Sequence, residues 1–241
     1  MIAESVDRRV LAALRFVDGV TGAMLQRPLV LEAPGTRWIR NASGHWVLAE
    51  APGLESHPGA FIAPPATPAL GSVALTIGVR DPAGSYLARR VTIALPRNPD
   101  PGAADQPASL FRPIAVPLYL APAASLASGW AVLRLTVTGA TPASRLGGAL
   151  LRVALASDGT VLARGLSDDR GEALVAVPGI PVTTWSEAPG AVIVNQIEAR
   201  VAVIPNPNPA VPPDPETMDA LAASKQVNVM LASGRTQVLV V

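Results

Sequence analysis

The sequence predicts an all-β protein built from two β-sandwich domains, and three observations carry that expectation. Short runs of alternating apolar residues recur along all 241 positions, and 25 prolines are scattered among them. Hydrophobic residues make up 49% of the chain and charged residues only 15%. Proline lacks a backbone N–H and fixes φ, so it is excluded from helix interiors and central strands. Long helices are therefore ruled out, and short strands joined by Pro/Gly loops remain. The apolar share supplies a core, where a disordered chain would show the opposite balance. Two sandwiches of roughly 100 residues each fit the length.

The elements follow in order. Residues 10–17, VLAALRFV, predict the first strand, and DGVTG from Asp18 to Gly22 a turn. Residues 28–33 and 36–40 predict two further strands. The turn Asn41-Ala42-Ser43-Gly44 leads into a fourth strand over 45–49. Residues 51–71 are a proline-rich loop. Residues 72–80 alternate, Asp81-Pro82-Ala83-Gly84 places Pro and Gly where a tight turn wants them, and 86–95 return, which reads as a hairpin. Residues 114–120 carry Pro117 and so predict an edge or bent strand. The small, flexible stretch 121–129 marks a boundary. The expected organisation is a first domain over 1–121, a linker over 122–129 and a second domain over 130–205. An arm, helix and hairpin over 206–241 complete or extend the second domain.

The second half opens on a clear period of two: Ala131, Leu133, Leu135 and Val137 face one way, and Val132, Arg134, Thr136 and Thr138 the other. Strands are also expected over 149–156, 160–164, 172–177 and 191–204. Residues 206–215, NPNPAVPPDP, form a stiff extended arm. Asp214-Pro215-Glu216 has the composition of a helix start, which predicts one helix over 215–224 with Asp214 as N-cap. Residues 226–241 predict a terminal hairpin about Ser233-Gly234. Its last strand is uncharged, and a free edge of that kind invites aggregation. It is therefore either paired within the fold or added to a neighbouring subunit's sheet, with Arg235, Gln237, Leu239 and Val241 as the partner-contact residues.

Two resemblances follow from these residues. Gly148-Ala149-Leu150-Leu151-Arg152-Val153, then Asp158-Gly159, then Leu166-Ser167-Asp168 and Gly171-Glu172-Ala173-Leu174 stand in a recognisable order. Over about residues 130–185 this resembles the carboxypeptidase regulatory-like domain family. Leu151 stands where that family has Val, Ser167 replaces its Thr, and Ile180 replaces the Tyr after Pro178-Gly179. The resemblance implies an immunoglobulin- or transthyretin-like sandwich and a non-catalytic module. Phe16-Val17-Asp18-Gly19-Val20-Thr21-Gly22 carries a fainter echo in the first half. In overall style (cysteine-free, proline-rich, doubly sandwiched) the chain also resembles accessory subunits of phage tails and contractile injection particles.

Chemistry-bearing residues are few. Asp168-Asp169 lacks the alternating oxygens of a calcium loop and reads as a turn, with Asp binding backbone N–H groups and Gly171 at positive φ. His45 and His57, the only histidines, lack the spacing of metal ligands, and no cysteine is present. Gly147-Gly148 precedes a strand, where a phosphate site needs a helix N-terminus. The net charge of +1 gives no field for nucleic acid or an anionic membrane. The expectation is therefore no catalytic residues, no cofactor and no metal, and a structural subunit that assembles with itself or with other subunits. The alternative is a carbohydrate-binding module stacking sugars on Trp38 and Trp46, which flank one turn. An enzyme using Asp168, Asp169 and a histidine is the remaining reading. Charges interrupt the first residues and no apolar run spans a membrane, so synthesis and folding in the cytoplasm are expected, with possible release inside an assembled particle.

Overall fold

In a computed structural model of the chain, the described residues are 9–60, 64–141, 143–180 and 196–241. They form β1 (Ala12–Asp18), β2 (Val30–Glu32), β3 (Arg37–Arg40), β4 (Trp46–Glu50), β5 (Val73–Arg80), β6 (Arg89–Leu95) and β7 (Ile114–Leu118). There follow β8 (Ala131–Thr136), β9 (Leu150–Leu155), β10 (Val161–Leu166), β11 (Glu172–Val177), β12 (Gln196–Ile204), α1 (Pro215–Met218), β13 (Lys225–Ala232) and β14 (Thr236–Val240). A 3-10 turn lies at Pro101–Ala103. The fold class is the all-β sandwich type that the sequence predicts, with proline-rich loops and one short helix near the C-terminal end. Of the run expected over 191–204, residues 191–195 lie outside the described residues.

The chain divides into two compact units. The first comprises Met1–Val17, Met24–Val79 and Arg90–Pro117; the second comprises Asp18–Ala23, Arg80–Arg89 and Leu118–Val241. In the first unit, one sheet has the order β3-β4-β1-β7 and another the order β2-β5-β6. Strand alternation sets the inward faces: Leu14 and Phe16 of β1, Leu48 of β4, Ile77 and Val79 of β5, Val91, Ile93 and Leu95 of β6 and Val116 of β7 are buried. Thr76 and Thr92 face outward and share a hydroxyl hydrogen bond of 3.0 Å across β5 and β6.

The second unit is a sandwich of the sheets β10-β9-β12-β13 and β11-β8-β14. Its core brings together Leu133 and Leu135 of β8, Leu151 and Val153 of β9, Val175 of β11, Val201 and Val203 of β12 and Leu231 of β13. β10 packs tightly against β11 at Gly165. A Cβ on Gly165 would stand 2.7 Å from Val175 Cγ2 and 3.3 Å from the Leu174 carbonyl, so only glycine fits there. A smaller apolar cluster of Tyr119, Leu150, Leu166, Ile204 and Met218 lies under α1, with Leu87 and Ala223 against it.

Two local expectations are corrected. The helix is a single turn over Pro215–Met218, not a helix over 215–224. Met218 is drawn into the small apolar cluster, and Ser224 N–H must donate to Val203 O at 2.8 Å to bring the chain onto β12. Asp214 is not the side-chain cap; it is buried beside Arg89. The terminal segment is not a paired hairpin. β13 pairs antiparallel with β12, whereas β14 crosses to the other sheet and pairs parallel with β8, Thr236 opposite Val132 and Val240 opposite Thr136. The physical reason is that Val229 and Leu231 fill the core from one sheet, and Leu239 and Val241 fill it from the other. A flat hairpin would leave one of these pairs in water.

Replacing Gly165 by Ala is expected to destabilise the protein by about 2 kcal/mol through overpacking. Val175→Ala in the same chain should recover part of that loss, because it removes the methyl that the new Cβ meets. Urea unfolding of the two single variants and the double variant measures the coupling.

Candidate functional site

The C-terminal strand is where the sequence places its partner-contact residues. In the ladder with β8, Val132 N–H donates to Arg235 O at 2.9 Å, Val241 N–H donates to Thr136 O at 2.9 Å, and Thr138 N–H donates to Val241 O at 2.6 Å. Odd-numbered residues therefore turn their backbone toward β8. Their side chains turn inward: Leu239 packs on the core, Val241 is buried in it, and the Gln237 side-chain amide donates to Met230 O. Arg235 is exposed in the turn before the strand. Thr236, Val238 and Val240 are exposed and turn their backbone away from β8, where no strand among the described residues pairs with them. Val238 and Val240 are 76% and 69% exposed. Sequence reasoning missed these two, although the same period of two that buries Leu239 puts them outside.

The acid pair folds into a turn. Asp168 Oδ1 accepts from the backbone N–H of Arg170 and of Glu172, each at 2.9 Å, and Gly171 N–H donates to Asp168 O. Gly171 has φ +75°, and a Cβ there would meet Val137 O at 2.7 Å. The Arg170 guanidinium lies on Asp168 Oδ2 at 3.0 Å and on Glu172 at 3.1 Å. Asp18, in the fainter echo of the motif, is used similarly, accepting from Val20 N–H, Thr21 N–H and the Tyr86 hydroxyl. Asp168 and Asp169 border an open cleft of about 530 Å³ walled by Gly147, Gly148 and the prolines of the arm. The nearby Ser167 hydroxyl donates to Leu146 O and accepts from Ala149 N–H, which commits it to structure. Among the described residues, no group of three or more His, Asp or Glu side chains is placed to hold a metal ion.

The remaining candidates lie in the first unit. In the β3–β4 register Trp38 stands opposite Leu48 and Trp46 opposite Arg40. The two indoles are therefore offset by two residue pairs along the ladder, on the same face. Both are half-buried, on the face that carries Leu48 and Leu14. Trp38 Nε1 donates to Thr36 Oγ1 at 2.9 Å. His45 uses its backbone in the turn with Asn41, and His57 is buried at 4% exposure.

The strongest electrostatic feature of the second unit was not foreseen. Arg89 is fully buried, with its guanidinium against Glu216, 4.0 Å from Asp214 and 5.9 Å above the Tyr119 ring centre. Its position has a signal in the sequence: Arg89 is in phase with the inward residues Val91, Ile93 and Leu95. Burial pushes the Tyr119 hydroxyl up to about 12, against the opposing pull of the nearby Arg89 charge. Beside it, Asp219 accepts from Arg164 at 2.8 Å and pairs with Arg152 at 3.3 Å. The hydrogen bond from Arg164 holds the Asp219 carboxyl below its ordinary value. Burial works to raise Asp18, but its hydrogen bonds from Thr21, Tyr86 and Val20 outweigh this and lower it.

No family model matches the chain, and no curated protein matches it. Solved structures give loose likenesses. One is the Bacillus anthracis TIE protein, at 9% identity and TM-score 0.29 over 96% of this chain. Another is a point mutant of the shaft pilin SpaA from Lactobacillus rhamnosus GG, at 10% identity and TM-score 0.26 over 84% of it. The chain spans 33% of the TIE protein and 66% of the pilin. Likenesses at these TM-scores carry no argument about function.

Removing Arg89 leaves Asp214 buried beside a lost charge, so Arg89→Ala is expected to cost about 3 kcal/mol in urea unfolding. Glu216→Gln keeps an acceptor but withdraws the charge lying directly against the fully buried guanidinium, so it too should cost roughly 2 kcal/mol. The lowered carboxyls of Asp18 and Asp219 add stability that is present above their ordinary value of 3.8. That stability is lost as the pH falls below 3.8 through the folded values. Melting temperature should therefore drop over this acid range, and Asp219→Asn should flatten the drop.

Proposed function

We propose that this chain is a non-catalytic structural subunit that assembles, with itself or with other subunits, into a larger protein particle. The observation that carries the reading is the outer edge of β14, an uncharged strand edge with two well-exposed valines. An edge of that kind offers a row of backbone donors and acceptors together with apolar side chains, which is the chemistry of strand addition. The sandwich behind it is well packed. Its core is filled by side chains from both sheets, and its flank is tied by the Arg89 and Asp219 ion pairs. Well-packed sheets with one adhesive edge suit a load-bearing or spacer role.

The finer reading is an accessory subunit of a phage-tail-like contractile injection particle, made in the cytoplasm and carried within the assembled particle. It rests on the cysteine-free, proline-rich, doubly sandwiched style of the chain. In lysate from the source cells, the protein is expected to sediment with a megadalton particle when followed with an antibody, and imaging that particle identifies the machine. Sedimentation only as a free chain of 24.7 kDa would overturn the assembly reading.

A further inference from the structure

We propose that β14 pairs antiparallel with β14 of a second copy of this chain across a two-fold axis at Val238, joining two three-stranded sheets into one of six strands. The inference rests on the assembly reading and names the partner of its adhesive edge.

The first support is a comparison of sheet edges. Among the described residues every other edge is blunted by a recognised device. β3 carries Arg37 and Arg40 and a bulge between Arg37 and Trp38. β7 contains Pro117, β2 is three residues long, and β6 begins with Arg89-Arg90. β10 carries Arg164 and a bulge between Val161 and Ala163, and β13 begins at Lys225 and lends its Met230 carbonyl to Gln237. β11 opens with Glu172 and lies close against β10. β14 has no charge, no proline and an unbroken five-residue register.

The second support is the direction of its backbone. Because the odd residues bond β8, Thr236, Val238 and Val240 aim their N–H and C=O groups outward. Antiparallel pairing centred on Val238 sets Val238 opposite its own copy and Thr236 opposite Val240 on both sides. These outward residues form the closely bonded pairs, giving about six inter-chain hydrogen bonds.

Charge and closure select a second copy as the occupant. No charged residue faces another across the new pair. Arg134, beside Val238 on the outer face, is held by Pro122 O. The two copies of Arg134 would stand three strand spacings apart, about 14 Å, beyond the roughly 8 Å screening length of physiological salt. With only one unblunted edge among the described residues, self-association must be edge to like edge. It therefore closes as an isologous dimer and does not propagate as a fibre.

The test uses the purified full chain in sedimentation velocity over a wide concentration range, with circular dichroism confirming that each variant is folded. Wild type is expected at twice the 24.7 kDa chain mass. Val238→Lys, which puts like charges on the axis, should raise the dimer Kd at least about tenfold. The double variants T236K/V240K and T236E/V240E should each be monomeric alone and form a heterodimer when mixed, because each Lys then faces a Glu. A wild-type monomer at all concentrations would overturn the proposal, as would a dimer indifferent to these changes or a mixture that stays monomeric. If wild type is a monomer yet Val238→Lys removes the protein from the particle in source-cell lysate, a different subunit's strand occupies the edge. The second-copy inference then fails while the assembly reading stands.

Discussion

The guanidinium of Arg89 is sealed from water, and much of the second unit is arranged to make that tolerable. A buried cation without partners is prohibitively unfavourable, so carboxylates and a ring face must be brought to it. They come from separate stretches: Asp214 and Glu216 from the arm and helical turn, and Tyr119 from the segment after β7. This requirement accounts for three otherwise unrelated features. Asp214 leaves its capping role to serve the buried charge. The helical turn begins with Glu216 committed to that charge. Tyr119 stays protonated, packed under the cation with Met218, Leu150 and Leu166. A neighbouring pair of arginines on Asp219 repeats the device nearer the surface, where solvent makes it cheaper and weaker.

The same sandwich logic that buries the core creates the edges through which such a protein can act. Each sheet must end, and each end exposes backbone groups. Among the described residues, arginine, lysine, proline, bulges and short strands close nearly all of these ends. β14 stands apart because its inward residues, Leu239 and Val241, are fully used by the fold, while its outward residues face no described partner strand. In the proposed assembly, fold stability and association fall to alternate residues of one strand. Substitutions at Val238 can change association without touching the interior.

Strands and turns were legible in the sequence because they depend on local rules. The alternation over Ala131–Thr136 decides which residues fill the core, and Asp168 and Gly171 specify their turn through one carboxylate and one positive φ. The β5–β6 hairpin follows similarly, its Asp81 carboxylate accepting from Ala83, Ser85 and Tyr86 N–H groups. The misreadings share one origin, which is competition from residues far away in the chain. Helical composition over 215–224 yields to the pull of Met218 into an apolar cluster and of Ser224 onto β12. The terminal hairpin yields likewise, because β14 is drawn into the ladder with β8.

What the sequence determined by itself is the all-β class, the order and approximate bounds of the strands and the nature of the turns. Period-two alternation, proline placement and Asx-turn chemistry act over a few residues, and no distant contact is needed to state them. Tertiary structure alone decided which strands become neighbours. It sent β14 parallel to β8 and not back along β13, because the core had to be filled from both sheets at once. That choice turned Val238 and Val240 outward and left their edge without a partner strand among the described residues, and it is the point on which the proposed assembly rests.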